Sequence, residues 1–94
     1  MSTKQELAQT IVCRCLKVSA FDAAVDIRGQ LQDLDQQATM ETFLNVRIAK
    51  WLRGNQPGWS WLPARAQELG AFKTMGDFAA YVAQHLAQAA AGAP

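Results

Sequence analysis

Apolar residues at Leu7, Ile11, Cys15 and Val18, and again at Ala8, Val12 and Leu16, recur every three or four positions, so residues 4–17 predict one amphipathic helix. Thr3 and Glu6 stand at capping-box spacing at its start. From Ser19 to Asp35 the period decays around Gly29 and scattered aspartates, which predicts a long, partly turned connection. A second helix follows over residues 37–53, where Met40, Phe43, Leu44, Ile48, Trp51 and Leu52 return at helical spacing and Gly54 supplies a stop. Gly54-Asn55-Gln56-Pro57-Gly58 is turn chemistry, and Trp59-Ser60-Trp61-Leu62-Pro63 is an aromatic segment closed by proline. A short helix over 64–69, ended by Gly70, comes next. The last helix opens on the Thr74-Met75-Gly76-Asp77 cap and runs to about residue 90, with Phe78, Val82 and Leu86 four apart. No stretch alternates like a strand, so the expected fold is all-α, with three main helices, one short helix and a long first loop. Residues 1–90 read as one domain, and the Ala/Gly/Pro-rich 91–94 as a fraying tail.

Charge changes this picture only when it is resolved by position. Nine Lys and Arg against eight Asp and Glu leave +1 in 94 residues, too little field for a non-specific nucleic-acid binder. Yet Arg47, Lys50 and Arg53 lie three apart and form a basic strip along the second helix, on which Glu41 is the only acid. The N-terminus lacks the basic and apolar regions of a signal peptide, and no apolar run approaches the ~18 residues of a membrane span. The sequence therefore reads as a cytoplasmic soluble protein, with neither membrane nor nucleic acid among its partners.

The chemistry-bearing residues are few. Cys13 and Cys15 sit about 200° apart on a helix, poorly placed to bond each other or share a metal, and read as small hydrophobes. His85, the single histidine, reads as a surface residue near a helix end, with no base–nucleophile pair around it. Asp33 and Asp35 fall in a polar loop, where capping and turn roles are expected. The chain is accordingly read as a non-enzyme without a metal site. Trp59 and Trp61 are candidate partner anchors or core lids, one expected to point inward and the other outward.

At Gln30-Leu31-Gln32-Asp33-Leu34-Asp35-Gln36-Gln37-Ala38-Thr39 the chain resembles the acyl carrier protein family around its attachment site, x-Leu-x-Asp-Leu-Gly-x-Asp-Ser-Leu, with Leu31, Asp33 and Leu34 matching in place. Leu44, Ile48 and Leu52 fall on the apolar positions of that family's second helix, and Thr74-Met75-Gly76-Asp77-Phe78 is similar to the opening of its last. The resemblance extends from about Glu6 to Leu86 and implies a four-helix carrier-like bundle. It also implies a 4'-phosphopantetheine site, but the attachment serine is replaced by Ala38, whose methyl cannot form a phosphodiester. Thr39 offers a hydroxyl rotated about 100° away. No cofactor is therefore expected on the chain as written, whether Ala38 is natural or an engineered replacement. The family's second helix is usually acidic, so the strip Arg47, Lys50 and Arg53, with Met40, Trp59 and Trp61, implies a monomeric docking protein for an acidic partner surface in fatty-acid or polyketide-type assembly. A helical adaptor unrelated to acyl chemistry is the alternative.

Overall fold

The computed structural model describes residues 3–88. Helix α1 (Lys4–Leu16) opens as its capping box dictates: the Thr3 hydroxyl accepts from the Glu6 amide at 3.1 Å, and Glu6 accepts from the Thr3 amide at 3.2 Å. Leu7, Ala8, Ile11, Val12, Cys15 and Leu16 form its buried face. Val18, expected on that face, is exposed, because Lys17 turns into the left-handed region at φ 58° and ends the helix.

The connection that follows is pinned to residues 73–76, far along the chain. Asp26 bridges Thr74, the Ile27 amide donates to the Lys73 carbonyl at 2.9 Å, and the Met75 amide donates to the Val25 carbonyl at 2.9 Å. These bonds carry Ile27 and Leu31 into the core, both essentially without solvent contact.

Helix α2 (Leu34–Thr42) begins three residues before the expected start. Asp33 is its N-cap: the carboxylate accepts from the Gln36 backbone amide at 2.7 Å, and Gln36 Oε1 accepts from the Asp33 backbone amide at 3.3 Å. The chain continues through a π-helical turn, Phe43–Ile48, into α3 (Ala49–Asn55), so helical backbone carries past Gly54. The π turn admits one additional residue, keeping Leu44, Ile48 and Leu52 buried while directing Asn45 sideways. The short helix lies at Ala66–Ala71 and has 3-10 geometry. It seats Leu69 in the core and packs on α2, where a Cβ added at Gly70 would come within 2.6 Å of the buried Gln37 amide nitrogen.

Helix α4 (Met75–Gln84) packs on α1 and starts at the Thr74/Asp77 capping box. Phe78 and Val82 are buried from this helix; full burial of a side chain the size of Phe78 contributes about 1.5–3 kcal/mol. The helix stops at His85, short of residue 90, and Leu86–Gln88 forms strand β2, antiparallel to β1 (Trp59–Trp61), with Trp61 opposite Leu86 and Ser60 opposite Ala87. The expectation of an all-α fold is corrected here: the described chain is a mostly helical bundle carrying a two-stranded sheet. Leu86 is still buried, as its four-residue spacing from Val82 implied, but it reaches the core from a strand. The expected tail, 91–94, and the last residues of the expected final helix lie outside the described residues.

Candidate functional site

Arg47 leaves the π turn, and Lys50 and Arg53 leave α3, all three exposed on one edge. Among the described residues the ion pair within 4 Å is Arg28–Asp26, at 2.6 Å, so Arg47, Lys50 and Arg53 form no direct ion pair with a described carboxylate. The fold extends the edge with two bases that the linear pattern left apart. Arg14 places its guanidinium carbon 5.0 Å from the centre of the Trp51 ring, and Lys17 lines the same hollow as Arg47. That hollow, about 700 Å³, lies between the end of α1 and the α2/π-turn junction; Cys15, Met40 and Phe43 supply its apolar lining and Thr39 and Thr42 its hydroxyls. Met40 and Arg47 therefore line one hollow. No residue lining this hollow is acidic.

The segment that resembles an attachment site runs from the core into α2. Leu31 is a core residue, Asp33 caps α2, and Leu34 is 79% exposed. Ala38 lies exposed in the second turn of α2, and Thr39 beside it turns toward the apolar hollow. Asp35 stays in the first turn of α2, where a carboxylate favours the helix dipole.

Trp59 and Trp61 project from one face of β1 and both are half-buried, correcting the expectation of one inward and one outward ring. Two residues along a strand return to the same face. Trp61 donates its indole N–H to the Asn45 Oδ1 at 2.8 Å, and the same oxygen accepts from the Ala64 amide at 2.8 Å. Asn45 Nδ2 donates to the Ala64 carbonyl at 2.9 Å. Sequence reasoning missed Asn45, a polar residue at an i+1 position beside the apolar Leu44; only the π turn brings it to β1.

His85 is also half-buried rather than on the surface: its Nδ1 lies 2.8 Å from the Leu62 carbonyl, and its ring stands 4.3 Å from Tyr81 and 5.5 Å from Trp61. Tyr81 donates to Glu68 Oε1 at 2.7 Å. Burial, then this bond, pushes its phenol up to about 12, and the same bond holds the Glu68 carboxyl below its usual range. Burial also pushes the Cys15 thiol up to about 12, so it stays protonated and unreactive at neutral pH. Both cysteines are free, and the described residues contain no group of three or more His, Cys, Asp or Glu side chains placed to hold a metal.

The arrangement is a positively charged rim beside an apolar hollow, set on helices packed against the core. No described helix is long and apolar enough to cross a membrane. No family model matches the chain, and comparison with curated proteins and with solved structures gives no match either.

Proposed function

We propose that this chain is a non-catalytic docking protein with a carrier-like helical shell, an accessory of fatty-acid or polyketide-type assembly that binds an acidic partner surface. The observation that carries the reading is the unpaired basic edge: Arg47, Lys50 and Arg53, extended by Arg14 and Lys17, around the Met40 and Phe43 hollow. Surfaces of one charge sign steer complementary partners and reject like-charged ones. Support for the carrier-like part comes from the order of elements: a first helix, a long loop running into an Asp-capped second helix, a short helix and a Thr-capped last helix. With Ala38 at the position matching the attachment serine, no prosthetic arm is carried.

The test is intact mass after incubation with a phosphopantetheinyl transferase and coenzyme A. The expected result is an unchanged mass beside a fully modified control carrier. A phosphopantetheine adduct on this chain would overturn the unmodifiable reading. A second reading, a helical adaptor unrelated to acyl chemistry, is favoured by one observation: the bundle carries the antiparallel pair β1–β2, which the four-helix shell implied by the resemblance does not include. The two readings share the basic docking edge and part over whether the partner belongs to acyl assembly.

A further inference from the structure

Three hollows meet along the basic edge and form one open trough. The first, about 510 Å³, lies over the end of α1 and is lined by Arg14, Lys17 and Phe43 among others. It shares Lys17 and Phe43 with the second, the hollow of about 700 Å³ that Met40 lines. The second shares Arg47 with a third of about 490 Å³, bounded by Lys50, Trp51 and Asn55. The lining sorts by exposure: Met40, Phe43 and Trp51 are half-buried and form the floor, whereas Arg14, Lys17, Arg47 and Lys50 are exposed and form the margins. None of the described residues lining the three hollows is acidic. Glu41, the one acid in residues 40–55, is turned away, its carboxylate accepting from the Ala66 amide at 2.7 Å.

We propose that this trough receives an acidic amphipathic helix of a partner protein, its apolar side chains on the Met40, Phe43 and Trp51 floor and its carboxylates against the flanking cations. This rests on the docking role of the basic edge and names the segment that docks.

Three observations select this occupant. Residues 40–55 run for about 22 Å at ~1.5 Å per residue, the length of about four turns of a second helix, whereas small molecules are held in enclosed concavities. The long wall is continuous helical backbone, from α2 through the π turn into α3, and bonds its own amides and carbonyls. It therefore offers no edge to an extended strand, while a helical occupant brings its backbone already satisfied. Finally, an apolar floor between two cationic margins is the complement of a helix whose apolar stripe is flanked by Asp and Glu, and paired charges on both flanks fix its register. A bilayer surface is flat and would meet the margins without reaching the half-buried floor. One cation is set before any partner arrives, since Arg14 stands over the Trp51 ring, 5.0 Å from its centre.

The probe is a synthetic peptide of about 18 residues, with Leu at i, i+3, i+4 and i+7 and Glu on the flanks. A second peptide of the same composition, with its Leu residues spread around the helix, is the comparison. Each is titrated into the full chain at low salt, followed by calorimetry, amide shifts and circular dichroism. The expected result is saturable binding of the amphipathic peptide, at least ~10-fold tighter than the comparison peptide, with a gain of helicity and shifts centred on Lys17, Met40, Phe43 and Arg47. Lys17→Glu with Arg47→Glu should weaken it at least ~10-fold. Arg65→Glu with Lys73→Glu makes the same change of net charge away from the trough and should leave it within about twofold, circular dichroism confirming that both variants fold. Equal binding of the two peptides would overturn the helix assignment while leaving charge-driven docking in place. Shifts on another face, or equal losses in the two variants, would overturn the trough as the site. Binding of neither peptide would overturn the inference and count against the docking edge as well. Association with phosphatidylglycerol vesicles but not with the amphipathic peptide would overturn it in favour of a lipid surface.

Discussion

Replacing Asn45 with alanine should remove the joint between the helix that carries the basic edge and the tryptophan strand. The side chain makes three bonds, from Nδ2 to the Ala64 carbonyl at 2.9 Å and to Oδ1 from the Trp61 indole and the Ala64 amide, both at 2.8 Å. Ala64 is buried, so its amide and carbonyl would lose their partner with little access to water; the half-buried Trp61 indole can recover part of its loss. At a net ~0.5–1.5 kcal/mol for each bond, and more for a donor left unpaired, Asn45→Ala should cost about 2–4 kcal/mol. For a domain of this size that lowers Tm by roughly 10–25 °C. Trp61→Phe removes a single donor and should cost about 1 kcal/mol. Urea unfolding of both variants and of the double variant gives the coupling, expected at about 1 kcal/mol because the second change finds its partner already gone. A loss below about 0.5 kcal/mol for Asn45→Ala, or strict additivity with Trp61→Phe, would refute the idea that this residue fixes the π turn.

Other consequences are as specific. Lys17→Gly should stabilise the protein by about 0.5–1 kcal/mol in thermal unfolding, since Lys17 ends α1 at φ 58°, where a Cβ is costly. Gly70→Ala should destabilise by about 1–2 kcal/mol, because the new methyl would press on the Gln37 amide that donates to the Leu31 carbonyl at 3.0 Å; adding Gln37→Ala should relieve the clash, and a Gly70→Ala variant as stable as the parent would contradict the packing. The Tyr81 phenol is raised to about 12 in the fold, above its unfolded value near 10, so its contribution is complete below pH ~10 and is lost as pH climbs toward 12. Tyr81→Phe should flatten that alkaline decline in a pH series of melting curves.

Most of what orders the bundle could be read from residues in sequence. Thr3/Glu6 and Thr74/Asp77 both form the capping boxes their spacing implies, and the pairs Leu7/Ala8, Ile11/Val12 and Cys15/Leu16 define one buried face. Asp33 and Gln36 have the same capping spacing, but the apolar period resumes only at Met40, which set the expected helix start at Gln37 and hid the cap. The sheet was not legible, because Trp59-Ser60-Trp61 is too short to alternate and Leu86 satisfies a helical spacing while lying in a strand. The π turn leaves no periodic signature either, since Leu44, Ile48 and Leu52 keep their four-residue spacing through it. Of the functional edge, Arg47, Lys50 and Arg53 were visible on one helix. Arg14 and Lys17 join it only through the packing of α1 beside the π turn, a tertiary fact that a one-dimensional pattern does not contain.

The docking role rests on the unpaired charge of that edge, and one comparison tests it most directly. The full chain and a triple charge-reversal variant, Arg47→Glu, Lys50→Glu and Arg53→Glu, are used as baits in a lysate of the native cell, with circular dichroism confirming equal folding. The account predicts that proteins with acidic surfaces recovered by the parent chain are lost by the variant and released from the parent as salt rises. An identical set of partners for both baits, insensitive to salt, would contradict it and leave the strip as ordinary solvated surface.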